Sequence, residues 1–229
     1  MKKLIISLIL ILIYANTFSQ QLNHEDFNPN NKLIGPKGEK LSASPQVDSL
    51  CRKAKAYYAK SQYNDGLSLL KKVNAMEENN PLIKAAIAWA YLKIGDFDSA
   101  ISYFNTALKL NPDDRFAQQN LIMCYSSKRD YKTACSKARA YMRSYDDDPD
   151  GYFTFMLVYF NHGHFKSAIE NGEKAVERYK STNDDSIYCA YYWLGKAYYA
   201  DKDYTHSDEA FQWLKAKGIK VEQKYMVRL

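Results

Sequence analysis

One hydrophobic pattern recurs along the chain after residue 46. In five places an aromatic residue is followed three positions later by a small residue. These pairs are Tyr63 with Gly66, Phe97 with Ala100, Tyr131 with Ala134, Phe165 with Ala168, and Tyr204 with Ser207. The first four aromatic residues are 34 positions apart, and the last interval is 39. We therefore predict five repeated units, with the additional residues of the last interval in the polar stretch 180–186.

A second series keeps the same register and indicates two helices in each unit. A tyrosine stands nine positions before each small residue, at Tyr57, Tyr91, Tyr125, Tyr159 and Tyr198. After the small residue, side chains such as Phe104 and Ala107 continue an apolar stripe at three- and four-residue spacing, which is typical of an amphipathic helix. Turn residues separate the two series, and Pro81, Pro112 and Pro149 fall between units, where a helix stops or starts. Each unit is thus predicted to be an antiparallel helix pair.

This pattern resembles that of the tetratricopeptide repeat family. The resemblance covers residues 47–221, and in the second unit it is carried by Ile87, Ala88, Tyr91, Gly95, Phe97, Ala100, Phe104, Ala107 and Pro112. It implies an all-α fold, a right-handed superhelical solenoid of about five antiparallel helix pairs. The units that follow from this register are about 47–80, 81–114, 115–148, 149–187 and 188–221, and a C-terminal tail occupies 222–229.

The N-terminus has the three parts of an export signal. Lys2 and Lys3 precede an apolar run from Leu4 to Tyr14, and a short stretch of mostly polar residues leads to Ser19. The run is shorter than the roughly 20 residues that a membrane-spanning helix needs. We predict a signal peptide at 1–19, a flexible leader at 20–46 and a periplasmic or secreted protein. An uncleaved N-terminal anchor is the alternative.

Charge and missing motifs narrow the classes of function. The formal net charge is +6, and the lysines are interspersed with acidic residues. Because there is no basic tail and no helix dense in arginine, nucleic acid is not an expected partner. The sequence contains no nucleophile elbow, zinc-protease helix, phosphate loop or dinucleotide fingerprint. We therefore expect no enzyme and no cofactor, and no transmembrane span once the signal peptide is removed.

The family resemblance implies where a partner would bind. In tetratricopeptide proteins the first helices of successive repeats line a concave face that commonly holds a peptide or a partner helix. In this register the groove includes an apolar and aromatic set: Tyr58, Trp89, Leu92, Phe116, Met123, Phe153, Leu157, Phe160, Tyr192 and Tyr199. Apolar surface of this kind usually marks an interface. We predict a non-enzymatic module that binds a protein or peptide segment, although packing between neighbouring helices is a competing role for many of these rings.

Self-association is the alternative function. Only residues 222–229 follow the fifth unit, which is too short for a covering helix, so we expect an apolar end of the repeat array to be exposed. Such an end, or the aromatic face itself, would let copies of the chain assemble as a structural component of an envelope or secretion complex. The sequence names no particular partner.

Metal sites are weakly supported by the sequence. The run Asp146–Gly151 matches the start of a calcium loop, but Leu157 stands where a bidentate carboxylate is required. The run also lies at a unit junction, where acidic residues and proline favour the start of a helix. His162 and His164 flank a turn glycine without a third ligand nearby in sequence. We predict no metal site.

One disulfide is compatible with the register. Cys124 and Cys135 are equally distant from the turn between Arg129 and Asp130, which places them at the same height on facing helices. A bond between them is geometrically allowed if the side chains point together, and an oxidising compartment would permit it. Buried free thiols are the competing interpretation.

Overall fold

The computed structural model describes residues 44–222 and Tyr225, and within these residues it contains ten α-helices and no strand. The predicted signal peptide at 1–19 and the leader up to residue 43 lie outside the described residues. The helices are α1 (Pro45–Tyr58), α2 (Tyr63–Met76), α3 (Pro81–Ile94), α4 (Phe97–Leu110), α5 (Arg115–Ser127), α6 (Tyr131–Ser144), α7 (Pro149–Asn161), α8 (Phe165–Thr182), α9 (Ile187–Ala200) and α10 (Tyr204–Ala216). The predicted all-α fold of repeated helix pairs is confirmed.

All five helix pairs close through the same backbone turn. The residue two positions before each second helix has a positive φ: Ser61 (57°), Gly95 (91°), Arg129 (62°), Gly163 (77°) and Lys202 (68°). The next N–H then donates to a carbonyl five residues back, as from Asp96 to Tyr91 at 3.0 Å. A left-handed residue at this place ends the first helix and satisfies its last carbonyls. The five aromatic residues of the first series are the first residues of the second helices.

Short polar side chains begin most of the helices. Asp96, Asp130 and Asp203 each accept a hydrogen bond from the N–H three residues later. At the junctions between pairs, Asn80 accepts hydrogen bonds from the N–H groups two and three residues later, Asp148 accepts one from the N–H two residues later, and a proline occupies the first helical position after each of them. These side chains satisfy N–H groups that have no partner within the helix. The helix-start role predicted for the acidic run at 146–151 is therefore confirmed.

Residue contacts divide the chain into two compact units, the first ending at Pro112 and the second beginning at Asp113. From here on, the first unit and the second unit are these two parts of the chain, and the five repeats are called helix pairs. The first unit contains α1–α4, and its core includes Leu70, Val73, Ile83 and Ile87, all fully buried. Gly66 lies against Tyr58, where an added Cβ would come within 2.2 Å of a ring atom. Only glycine lets α2 approach α1 this closely.

The second unit contains α5–α10, and small residues again permit close contact between its helices. The Ser207 hydroxyl donates to the Gly195 carbonyl at 3.0 Å in a fully buried contact between α10 and α9. Gly172 of α8 admits Met156 and Leu194, because a Cβ there would lie 2.6 Å from the Met156 sulfur. The largest buried side chain in the described residues is Trp193 of α9.

Each of the five predicted repeats holds one helix pair, with small shifts at the boundaries. Helix α1 begins at Pro45, inside the predicted leader, and α9 begins at Ile187, one residue before the predicted fifth unit. The longer interval before the fifth pair is accommodated by α8, which has 18 residues where α4 and α6 each have 14. The turn at 183–186 has four residues, as the junction at 145–148 does, and the one remaining extra residue lies in α9, which has 14 residues where α7 has 13.

Candidate functional site

The ten residues of the predicted groove divide into two sets by exposure. Tyr58, Leu92, Leu157 and Tyr192 are buried, at 8% exposure or less. The other six are partly exposed, and these are Trp89, Phe116, Met123, Phe153, Phe160 and Tyr199. All six lie on the first helices of their pairs. We call them the partly exposed set, and they are the predicted groove residues that a partner can still reach.

In the first unit the predicted site is built around Trp89. Its ring lies 5.4 Å from Tyr58 at the end of α1 and 6.0 Å from Tyr63 at the start of α2, both in edge-on arrangements. The Lys93 ammonium lies 5.1 Å from the Trp89 ring centroid. Such contacts stabilise rings beyond their burial. Trp89 therefore packs one helix pair on the next while one part of its surface stays accessible.

In the second unit Phe153 and Phe160 occupy one helix, α7, but differ in their surroundings. Phe153 makes an edge-on ring contact with Tyr179 at 6.5 Å. Phe160 lies closer to its neighbours, 5.7 Å from Phe165 and 5.3 Å from Trp193. Because Phe153 has the looser ring contact, it is the member of the partly exposed set on α7 best placed to meet a partner.

Lys196 of α9 is enclosed by aromatic rings and was not among the predicted site residues. Its ammonium lies 3.9 Å from the centroid of Trp193, 5.4 Å from Tyr192 and 5.8 Å from Phe160. The residue as a whole is only 4% exposed. Aromatic faces are electron-rich, so they stabilise a cation in a place with little water. The sequence signal was the lysine two positions before Tyr198, in the register of Trp89, Met123 and Leu157.

The C-terminal tail covers the end of the fifth pair. Tyr225 is 9% exposed, stacks on Phe211 at 5.4 Å and lies 5.4 Å from Tyr199. Glu222 accepts a hydrogen bond from the Tyr192 hydroxyl at 2.9 Å. Burial, together with this bond, raises the pKa of Tyr192. The expectation of an uncovered apolar end is thus corrected, because one aromatic residue of the tail takes the place that a covering helix would have.

Acidic and phenolic side chains join the helix pairs at the junction between α6 and α7. Asp148 accepts hydrogen bonds from Tyr141 at 2.9 Å and from Arg115 at 3.0 Å. Asp150 accepts one from the Tyr179 hydroxyl. Burial raises the pKa of Asp150, and the bond from Tyr179 opposes that change. Protein donors therefore engage two of the carboxylates that resembled the start of a calcium loop.

The cysteines are free and buried in the structure. Here free means only that Cys51, Cys124, Cys135 and Cys189 form no disulfide, so the allowed bond between Cys124 and Cys135 is not formed. Burial raises the pKa of the Cys124 thiol to about 12, which leaves it protonated and unreactive at neutral pH.

The two turn histidines of the fourth pair pack against aromatic rings. His162 and His164 lie 4.7 Å and 5.2 Å from the Tyr131 ring. Burial lowers the pKa of His162, which favours its neutral form. Across residues 44–222 and Tyr225, no three His, Cys, Asp or Glu side chains converge as metal ligands. In the same part of the chain, none of the helices combines the length and apolar character needed to cross a bilayer.

Comparison with known proteins places the fold in one class. Residues 57–123 match the family model described as tetratricopeptide repeat. The solved structure of TTC0263, a thermophilic tetratricopeptide protein of Thermus thermophilus, superposes with a TM-score of 0.64 at 16% identity, over 74% of this chain and 90% of that one. MamA from Desulfovibrio magneticus RS-1 superposes with a TM-score of 0.54 at 20% identity, over 76% and 96% of the two chains. The fold is therefore the helical-repeat fold of tetratricopeptide proteins.

A sequence relative carries a similar stretch within a much longer protein. The rhomboid protease GluP of Bacillus subtilis (strain 168) is 28% identical over 87 residues, which are 38% of this chain and 17% of the protease. This chain thus matches less than a fifth of that relative's length.

Proposed function

We propose that this chain is a non-enzymatic interaction module of the cell envelope, which holds a segment of a partner protein against the first helices of its pairs. The observation that carries the proposal is the partly exposed set, six apolar side chains on first helices. Apolar and aromatic side chains that keep some solvent exposure on ordered helices are typical contact residues for a protein segment. The tetratricopeptide match supports the same class of function.

The envelope location rests on the N-terminal sequence. A basic start, an apolar run too short to span a bilayer and a polar end at Ser19 are the parts of an export signal. Under this proposal the mature chain begins at Gln20. Its partner would then be another exported protein, or the exported part of a membrane protein.

Replacing Phe153 by alanine tests the binding surface. Cells that produce the tagged full-length chain are treated with a cross-linker, the chain is purified, and attached proteins are quantified by mass spectrometry. We expect the main cross-linked partner to fall by about tenfold with Phe153→Ala, as for a central aromatic contact. Mass spectrometry of the same purified chain also identifies its first residue, which we expect to be Gln20.

The matched control is Tyr152→Ala, the neighbouring residue of α7. Tyr152 is also a partly exposed aromatic residue, and Lys174 of α8 lies 5.9 Å from its ring centroid. We expect this variant to retain the partner, and both variants to keep the helical content of the wild type by circular dichroism. Equal retention with Phe153→Ala and Tyr152→Ala would refute binding at this surface. A second copy of the chain as the cross-linked product would instead favour self-association.

A further inference from the structure

The end of the fifth helix pair already holds a peptide segment, the chain's own tail. In the first unit, Trp89 of the second pair covers Tyr58 at the end of α1. Tyr199 is the equivalent of Tyr58 in the fifth pair, since each directly follows the recurring tyrosine of its first helix. Tyr225 covers Tyr199 at 5.4 Å, the same separation as between Trp89 and Tyr58. The tail therefore fills the place that a further repeat would fill.

Two side chains of the tail define the chemistry that this surface accepts. An aromatic ring, Tyr225, stacks on Phe211 and lies 5.7 Å from the Lys196 ammonium. Three residues earlier, the carboxylate of Glu222 takes the hydrogen bond of the buried Tyr192 hydroxyl. One contact selects a ring and the other selects an acceptor, so together they specify an acidic residue followed three positions later by an aromatic one.

The tail is attached to the last helix by a short stretch of non-helical chain. Helix α10 ends at Ala216, Gly218 has a φ of 78°, and residues 219–222 are not helical. Glu222 is exposed, so water can take the place of the Tyr192 hydroxyl as a donor to its carboxylate. A segment tethered this closely has an effective concentration of the order of 1 mM. A partner segment of the same chemistry can displace the tail if it binds more tightly than the tail or is present above that concentration.

We propose that the surface formed by Tyr192, Lys196, Tyr199 and Phe211 is a binding site for an acidic-x-x-aromatic peptide segment, and that the chain's own tail occupies it until such a segment of a partner replaces it. This deepens the proposed function and rests on it, because it names the segment that one part of the module would hold. It differs in location from the contact tested with Phe153.

The site is tested with the full chain and a labelled peptide of residues 221–229. Glu222→Ala and Tyr225→Ala together remove both anchors of the resident tail. By fluorescence anisotropy, we expect this double variant to bind the peptide about tenfold more tightly than the wild type, in which the tail competes. A peptide carrying the same two alanine replacements is expected not to bind. The single variant Glu222→Ala, altered at an exposed residue, should show a smaller increase.

A pair of tyrosine variants shows whether binding occurs at the proposed surface. Tyr192→Phe, added to the double variant, keeps the ring and removes the hydroxyl donor, and we expect peptide binding to weaken by about threefold to tenfold. Tyr198→Phe is the matched control, because that hydroxyl of the same helix donates instead to Glu173 of α8 at 2.5 Å. It should leave peptide binding unchanged.

Two results would overturn the proposal. One is equal peptide affinity of the wild type, the single variant and the double variant, with circular dichroism showing all three folded. The other is equal loss with Tyr192→Phe and Tyr198→Phe. Loss of the partner with Phe153→Ala alongside either result would leave the proposed function standing without this site. If the peptide binds at this site but Phe153→Ala does not change the amount of cross-linked partner, the site is supported and the Phe153 contact is refuted.

Discussion

The two units use different residues for the same packing task. In the first unit, the ring at the end of the first helix, Tyr58, is covered by Trp89 of the following pair. In the second unit, Phe160 has Lys196 of the following pair 5.8 Å from its centroid, and Tyr199 has Tyr225 of the tail. A tryptophan, a lysine and a tail tyrosine thus occupy equivalent places. What the repeat requires is a side chain that covers a ring, and the chain provides it by different means.

The difference also concerns how permanently each ring is covered. Trp89 is part of α3 and is held on both sides by the helix backbone. Tyr225 lies nine positions after the end of α10, and the six described residues at 217–222 are not helical. A residue in a helix already has an ordered backbone, whereas a residue in a non-helical tail loses backbone freedom when its side chain packs. Removing Trp89 should therefore lower the free energy of unfolding more than removing Tyr225.

Replacing Trp89 by alanine should give the largest effect. The indole contacts Tyr58, Tyr63 and the Lys93 ammonium, and it packs against the core of the first unit. We expect the free energy of unfolding to fall by about 2–3 kcal/mol, somewhat below the usual loss for a fully buried tryptophan. Urea unfolding followed by circular dichroism measures it. Tyr57→Ala, a residue 39% exposed on α1, is the control and should cost less than about 0.5 kcal/mol. Equal losses would mean that Trp89 is not a packing residue.

Replacing Tyr225 by alanine should give a smaller effect. Its ring stacks on Phe211 and covers Tyr199, but ordering the tail offsets part of the gain, so we expect a loss of about 1 kcal/mol. Hydrogen exchange read by mass spectrometry should show faster exchange in α9 and α10 and no change in α1–α4. Tyr225→Phe keeps the stacked ring and should behave as the wild type. A loss as large as that of Trp89→Ala would remove the distinction between helix and tail.

The repeat register predicted the helices because it depends on short-range geometry. All five small residues of the first series, from Gly66 to Ser207, are buried, and each follows an aromatic residue that begins a helix. Close helix approach requires a small side chain there in every pair, so the requirement is visible as a sequence period. The division of the groove residues into buried and partly exposed sets was not visible, because it depends on which neighbouring side chain covers each ring.

Residues that depart from the repeat could not be interpreted from the sequence. Gly172 stands at the position that Phe104 has in the second helix pair, and the structure shows Met156 and Leu194 filling that space. Lys196 is a charged residue where the second, third and fourth pairs have an apolar one, and the surrounding rings explain it. Tyr225 lies outside the repeats, so no periodicity could assign it to Phe211. In each case the explanation is a contact between side chains that the repeat period does not pair.

The units also differ at equivalent junctions between helix pairs. In the first unit the junction reads Asn80, Pro81 and Leu82; in the second it reads Asp148, Pro149 and Asp150. The apolar Leu82 of the first unit is thus matched in the second by Asp150, whose carboxylate is partly buried beside Tyr179. Because burial raises the pKa of Asp150, only the second unit carries at this position a group whose protonation affects stability.

Replacing Asp150 by asparagine should give the smallest effect and the one that depends on pH. A carboxyl group whose pKa is raised by folding contributes stability that is complete below its ordinary pKa and is lost as the pH rises through the raised value. Asparagine stays neutral and can still accept the Tyr179 hydrogen bond. We therefore expect the variant to match the wild type at about pH 3 and to exceed its stability by less than about 1 kcal/mol at about pH 7. The exposed Asp146→Asn serves as the control in the same urea titrations and should show no such gain. A variant that is less stable than the wild type at neutral pH would mean that the charged bond to Tyr179 outweighs the cost of burial, and that the second junction is held by its ionised carboxylates.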